Sequence, residues 1–376
     1  MKKILILAGR YLPGYKDGGP VRTLINLTDL LGDEYDFRIV VLDRDHGDKE
    51  PYQNIKINEW NRVGKAKVWY YEPGQMNFSF IRKLSKDVDL IYLCGFYNSY
   101  GYKTLILNRF KLLYNKPVVV ASMGSFSTGA LYQKHIKKAT FIKLCKMFGL
   151  FRNITWSVTS KLEMDDVQRV ISNSAKCIIA EDLPRTDIDI DNDKKRNKIL
   201  KIVFLSRISP IKNLDYCINV LKKIKFDVIF DIYGPLEDSE YWQRCETLLK
   251  NLPLNINWKY CGEVDTNKVS EVFSKYDLFL FPTKGENYGH VIFESLASGC
   301  IPIISDQTPW LNLTEKNVGY IIPLSNIDDY VSVINKCILM DNDEIETMFK
   351  NAVNFALQKI IDSKNDTGYR MIFERN

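Results

Sequence analysis

Two glutamates, Glu286 and Glu294, frame the segment Gly285-Glu-Asn-Tyr-Gly-His-Val-Ile-Phe-Glu294. A carboxylate accepts two hydrogen bonds at once from neighbouring hydroxyls, so each suits a vicinal diol, one of a sugar and one of a ribose. Gly289, between them, lets backbone N–H groups approach a ligand closely. As plain surface features both would be solvated acids. Yet Glu294 lies among Phe293 and Leu296 in an otherwise apolar helical pattern, where an unpaired charge is costly. Upstream, Arg207 and Lys212 follow an apolar run. Two such cations, with a helix N-terminus, stabilise the charge that a diphosphate leaving group gains as its bond to a sugar breaks, and they need no metal to do so. An Arg and a Lys in a loop are by themselves ordinary surface charges; their company gives them a role. Gly18-Gly19-Pro20 precedes the first amphipathic pattern, with Pro20 at its first helical position. The glycines serve either as a turn or as backbone apposed to a phosphate.

Other chemistries are thinly represented. Asp43-Arg44-Asp45 is a D-x-D after an apolar run, a spacing that can hold Mg²⁺ or Mn²⁺ against a diphosphate, but Asp87-Val-Asp89 and Asp187-Ile-Asp189 match it equally. No metal and no cofactor are expected. His46, His135 and His290 are the only histidines, which excludes a His-rich metal centre, and the eight cysteines show no metal-ligand spacing. A net charge of +6 suits an anionic small molecule or membrane surface, and base-reading motifs are absent, so no nucleic acid is expected. No G-x-G-x-x-G follows the first strand, which argues against a dinucleotide-binding dehydrogenase.

These residues need elements to position them. Short β-branched runs read as strands at Lys3–Ala8, Phe37–Leu42, Leu90–Cys94, Pro117–Ala121 and Trp156–Thr159, then at Lys201–Ser206, Val228–Tyr233, Trp258–Cys261, Leu278–Phe281 and Ile301–Ser305. Helical periodicity separates them, as at Val21–Leu31, Leu214–Ile224, Tyr241–Leu249, Val291–Ser298 and Glu344–Ile361. Strands buried on both faces with helices between them imply parallel α/β sheets. The polar stretch 181–198 has linker composition. The expected organisation is an N-terminal Rossmann-like domain over 1–185 and a second over 186–354, facing one cleft, with a last helix at about 355–376 that can pack back on the first.

The run from Gly285 to Ser305 resembles the E-x7-E segment of retaining glycosyltransferases of the large family four, whose fold is GT-B. Phe204-Leu-Ser-Arg-Ile-Ser-Pro-Ile-Lys-Asn213 resembles that family's strand–Arg–loop–Lys segment, Phe230–Pro235 its next strand and turn, and Gly18-Gly19-Pro20-Val21 its N-terminal glycine loop. The resemblance implies that Glu294 holds ribose hydroxyls, that Glu286 holds donor-sugar hydroxyls, and that Asn287, Tyr288, Gly289, His290 and Val291 line the sugar and distal phosphate. It also implies a UDP- or GDP-sugar donor in the C-terminal half and a glycan or lipid-linked glycan acceptor in the N-terminal half, as in surface-polysaccharide synthesis. The chain departs from the family after Pro117–Ala121. Many relatives carry a histidine there, whereas this sequence has Ser122-Met-Gly-Ser-Phe-Ser127. A nucleotide-sugar 2-epimerase and a non-catalytic nucleotide-sugar binder are the alternatives.

Residues 131–152 are basic, aromatic and free of acids, which suits an anionic membrane surface, while no stretch approaches a transmembrane span. The first apolar run is shorter than a signal peptide's. The expected place is the cytoplasm, peripheral to the inner face of the membrane.

Overall fold

The computed structural model describes residues 1–127, 130–131, 135–187, 194–365 and 367–375. It divides into two compact units, Met1–Leu183 with Asp362–Asn376, and Pro184–Ile361.

In the first unit the strands are β1 (Lys2–Leu7), β2 (Tyr35–Leu42), β3 (Trp60–Val63), β4 (Ala66–Tyr71), β5 (Leu90–Cys94), β6 (Val118–Ala121), β7 (Ile154–Val158) and β8 (Cys177–Ile179). They form one sheet in the order β3-β4-β2-β1-β5-β6-β7-β8. Every described pairing in it is parallel except the hairpin β3–β4. The interior strands β5, β6 and β7 are buried along their whole length, which is why they read as unbroken apolar runs rather than as alternation. The second unit holds β9 (Leu200–Leu205), β10 (Val228–Tyr233), β11 (Ile256–Gly262), β12 (Leu278–Phe281), β13 (Ile301–Ser305) and β14 (Tyr320–Ile322), in the parallel order β11-β10-β9-β12-β13-β14. Its core is one cluster built on Phe204, Phe230, Phe279 and Ile303, sealed by the inner faces of helices such as Leu214–Leu221 and His290–Ala297.

The expected strands are all present, with ends within two residues. The periodicity did not flag β3–β4, β8 or β14. The hairpin had a usable signal, since Gly64 takes a positive φ of 55° at the first turn position between two short alternating runs. The short edge strands β8 and β14 have three residues each, too few to show a pattern.

Stretch 181–198 is less of a linker than its composition suggests, and residues 188–193 of it lie outside the described residues. Lys194 is buried, donating to the carbonyls of Phe273 (3.3 Å), Tyr276 (2.5 Å) and Ser298 (3.3 Å). The Arg196 guanidinium donates to the carbonyls of Met340 and Ile338 (2.5 Å), filling acceptors that the helix Ile327–Leu339 leaves open at its end. At the other crossing the chain runs along the helix Asn342–Asn365 and finishes in Gly368–Arg375 on the first sheet. A Cβ on Gly368 would stand 2.0 Å from the Ile179 carbonyl, so only glycine allows that helix to seat beside β8. Phe373 then packs edge-on against Tyr35, with centroids 5.1 Å apart.

Asp182, just before the first crossing, is buried and accepts from Thr23 Oγ1 (2.9 Å) and Tyr369 Oη (3.3 Å). Burial pushes its carboxyl up to about 7, against the lowering effect of the Thr23 and Tyr369 hydroxyls. The folded chain therefore keeps this proton where the unfolded chain, titrating near ~4, has lost it. Stability from this group is greatest below the unfolded value and falls as pH rises toward the folded one. Asp182→Asn should remove that slope. In urea unfolding the variant should gain on the wild type between pH 5 and 8, by at most about 4 kcal/mol. Parallel pH profiles for the two proteins would contradict the assignment.

Candidate functional site

Each sheet reverses its direction of growth once, and the expected residues gather at those reversals. In the second unit the chain builds outward from β9 through β10 to β11, then returns to place β12 on the other side of β9. The loops leaving β9 and β12 at their carboxyl ends diverge there, which leaves a crevice where ligands of open α/β sheets bind. Arg207 and Lys212 stand on the loop after β9, and Glu286 to Gly289 on the loop after β12.

The two loops are stitched together. Thr283 Oγ1 and the Lys284 N–H both donate to the Ile211 carbonyl (3.1 and 2.8 Å), and Asn213 Nδ2 donates to the Pro282 carbonyl (2.9 Å). Asn213 itself adopts φ 63° and opens the helix Leu214–Leu221; asparagine tolerates this left-handed turn better than most residues. Across this framework Lys212 Nζ pairs with Glu286 Oε1, both side chains 12% exposed. A pair so shielded is screened by water and salt far less than a surface one. Lys212 Nζ also stands 5.7 Å from the centroid of the Phe281 ring. From the third side the Glu286 N–H donates to the Gln307 carbonyl (3.1 Å), and Trp310 Nε1 to the Tyr288 carbonyl (2.5 Å). The Tyr288 ring lies between Trp310 and His290, with centroids at 5.3 and 4.8 Å.

Gly289 caps the helix His290–Ala297 with φ 81° and ψ 60°, and a Cβ there would come within 2.9 Å of Ile292 Cδ1. Gly289 brings no capping side chain to this helix start, whose first N–H groups carry the partial positive charge of a helix N-terminus. Glu294 is buried on the same helix. Arg207 is more exposed and pairs with Glu237 on the loop after β10, at 2.5 Å, each side chain 45% exposed. These two loops touch closely, since a Cβ on Gly234 would lie 1.9 Å from the Ser206 carbonyl. The structure thus assembles nine of the expected residues on one unit and supplies both cations with carboxylate partners.

Gly18 and Gly19 belong to the first unit, on the loop after β1, beside that sheet's own reversal between β1 and β5. Gly18 takes φ 63° and ψ −117°, a conformation open to glycine alone, and the helix starts at Gly19, so Pro20 is its second residue rather than its first. A Cβ at either glycine would meet nothing within 4 Å, so packing does not require these glycines.

Sequence reasoning missed Glu237 and Glu163. Glu163 is buried and accepts four hydrogen bonds, from Ser122 Oγ (2.7 Å), the Gly124 N–H (2.6 Å), the Thr159 N–H (2.7 Å) and Thr159 Oγ1 (2.9 Å). It clamps the loop that stands in place of the relatives' histidine, where Met123 (φ 48°) and Gly124 (φ 69°) are left-handed in succession. Ser160-Lys-Leu-Glu163 does have the spacing of a capping box, and Ser160 Oγ accepts from the Glu163 N–H (3.2 Å). The carboxylate, however, bonds Thr159 and the neighbouring loop, a use the local pattern does not encode.

The D-x-D carboxylates are occupied otherwise. Asp43 forms a two-pronged pair with Arg44 (2.7 and 3.0 Å), and Asp45 accepts from the N–H groups of Tyr15 (2.9 Å) and His46 (2.8 Å). Asp89 accepts from the Lys3 N–H at the opening of β1 (2.7 Å), and Asp187 pairs with Arg185 (2.6 Å), while Asp189 lies outside the described residues. Among the described residues no three or more His, Cys, Asp or Glu side chains group to hold a metal ion.

Two Rossmann-like parallel sheets, the second carrying this crevice, define the GT-B class of glycosyltransferase folds. Solved structures with that fold cover the chain nearly end to end. Anabaena Alr3699/HepE in complex with UDP and glucose superposes with a TM-score of 0.71 at 16% identity, over 100% of this chain and 99% of that one. WaaG, a glycosyltransferase involved in lipopolysaccharide biosynthesis, gives 0.64 at 12% identity, over 96% and 97%. Residues 186–354 match the family model for glycosyl transferases group 1, so it is the second unit that is similar to that family. Among curated proteins it is similar to the GtfA subunit of a UDP-N-acetylglucosamine–peptide N-acetylglucosaminyltransferase from Streptococcus agalactiae. That match is 30% identical over 138 residues, 35% of this chain, and spans about a quarter (26%) of the GtfA subunit's length.

Proposed function

We propose that the protein is a retaining glycosyltransferase that moves a sugar from a nucleoside diphosphate donor to a saccharide acceptor, lipid-linked and presented at a membrane, in the synthesis of a surface polysaccharide or glycoconjugate. The observation that carries this reading is the Lys212–Glu286 pair at the sheet reversal, on the loop that leads into the helix N-terminus at Gly289. With Oε1 held by Lys212, Glu286 presents Oε2 to sugar hydroxyls. Glu294 takes the ribose hydroxyls. As the bond from the anomeric carbon to the phosphate oxygen breaks, its electron pair leaves with the diphosphate. Arg207, Lys212 and the helix N-terminus stabilise that charge without metal. The acceptor oxygen bonds the anomeric carbon from the same face, and its proton passes to the departing phosphate oxygen. The Glu286 carboxylate holds the sugar and forms no covalent bond to it. UDP is the favoured donor nucleotide, because Anabaena HepE was solved with UDP and glucose, and similarity to the GtfA subunit points the same way.

A thermal-shift panel of nucleoside diphosphates tests the donor. UDP or GDP should raise the Tm, and no other nucleotide should match it. Incubation with the corresponding nucleotide sugar then separates the readings. Slow release of free sugar marks a transferase lacking its acceptor, inversion at C2 an epimerase, and unchanged donor a binder.

A further inference from the structure

We infer a docking surface for an anionic lipid bilayer on the first unit, made by the outer face of the helix His135–Met147 and the turn at 110–116. Between Leu90 and Leu162 the sequence has eleven Lys and Arg and not one Asp or Glu, so the rest of the chain is net acidic. The positive charge is therefore concentrated in one stretch of a nearly balanced protein. That stretch also carries the wrong kind of outer helix face for simple solvation.

The helix has its inward side in the core, with Ile142 and Cys145 buried and Phe141 packed against Phe96 and Tyr97. The opposite side of such a helix is ordinarily polar. Here Ile136 (78% exposed), Leu144 and Met147 (66%) share one outward stripe with Thr140, flanked by Lys137, Lys143 and Lys146. The stripe continues past the helix end into Phe148 (62% exposed). Arg109 Nε donates to the Phe148 carbonyl (3.3 Å), and Asn108 Nδ2 to that of Arg152 (3.4 Å), which brings the exposed Phe110 (67%) alongside. Apolar side chains ringed by long cationic ones match an interface where hydrocarbon lies beneath anionic headgroups. Lysine stems lie along the apolar layer while their ammonium groups reach the phosphates. A nucleic acid or an acidic protein partner would use the charge and leave the apolar stripe unmatched. Among the described residues no helix is long and apolar enough to cross a membrane, so the contact is interfacial.

Flotation of the full chain with vesicles tests the surface without any sugar transfer, so its outcome is independent of the reaction assigned above. The chain should float with phosphatidylglycerol–phosphatidylcholine vesicles at ~0.1 M salt, stay behind with pure phosphatidylcholine, and be released at ~0.5 M salt. Lys143→Glu with Lys146→Glu should lower the bound fraction about tenfold. Phe110→Ser with Phe148→Ser should lower it about as much at equal charge. Both variants should keep the wild-type Tm and nucleotide-induced shift, because these side chains are exposed and remote in sequence from the second unit. Binding to both vesicle types alike, to neither, or undiminished in the charge-reversed variant would overturn the proposal. So would loss of vesicle binding to equimolar duplex DNA alone, with the serine variant unaffected, which would mark a general polyanion surface.

Discussion

Glu286→Ala should lower the rate of sugar transfer by about 10³-fold while leaving nucleoside diphosphate affinity within about threefold. The carboxylate lies at the meeting of three loops, paired with Lys212 and held by its own N–H on the Gln307 carbonyl. On the proposed reading, its removal takes away the group that orients the donor sugar, and it leaves the Lys212 ammonium without this partner. That ammonium would then sit closer to the diphosphate, which favours binding of the product nucleotide and does nothing for the sugar. Glu286→Gln keeps the shape and the hydroxyl-accepting oxygen but loses the charge, so it should fall between wild type and alanine. Initial rates with saturating donor, with nucleotide affinity by calorimetry, make the comparison. A Glu286→Ala enzyme with unaltered kcat would remove Glu286 from the site.

Glu294→Ala should show the converse split, with donor Kd raised about 100-fold and kcat at saturating donor reduced far less. Glu294 is buried one turn into the helix that Gly289 opens. Two hydrogen bonds from ribose hydroxyls to a charged acceptor account for about 2.7 kcal/mol, and the loss is felt equally before and during bond breaking. Free nucleoside diphosphate should weaken by the same factor as the nucleotide sugar, since both carry the ribose. If the variant weakened the sugar nucleotide alone, Glu294 would be touching the sugar, and the two glutamates would have to exchange roles.

The interior strands were legible because they have one requirement only. Leu90–Cys94, Val228–Tyr233, Leu278–Phe281 and Ile301–Ser305 are buried on one or both faces and must be rich in apolar, β-branched or aromatic residues over a few positions, whatever their neighbours are. Gly18 and Gly289 were legible for a similar reason. A positive φ at a helix start favours glycine, and next to it asparagine, as at Asn213.

By itself, then, the amino-acid sequence determined that two sets of parallel strands exist, where ten of the fourteen lie, and which glutamates, cations and glycines stand at loop positions that follow strands. These are local properties, set by burial and backbone conformation within a few residues. Only the tertiary structure decided which of those charges meet. Lys212 and Glu286 are 74 residues apart and come together because the second sheet reverses at β9 and sets β12 beside it. Arg207 finds Glu237, and Glu163 clamps the Ser122–Gly124 loop from across 41 residues, through strand order alone. Charge pairing depends on distance in space as an inverse power, and sheet order is what converts distance along the chain into that distance.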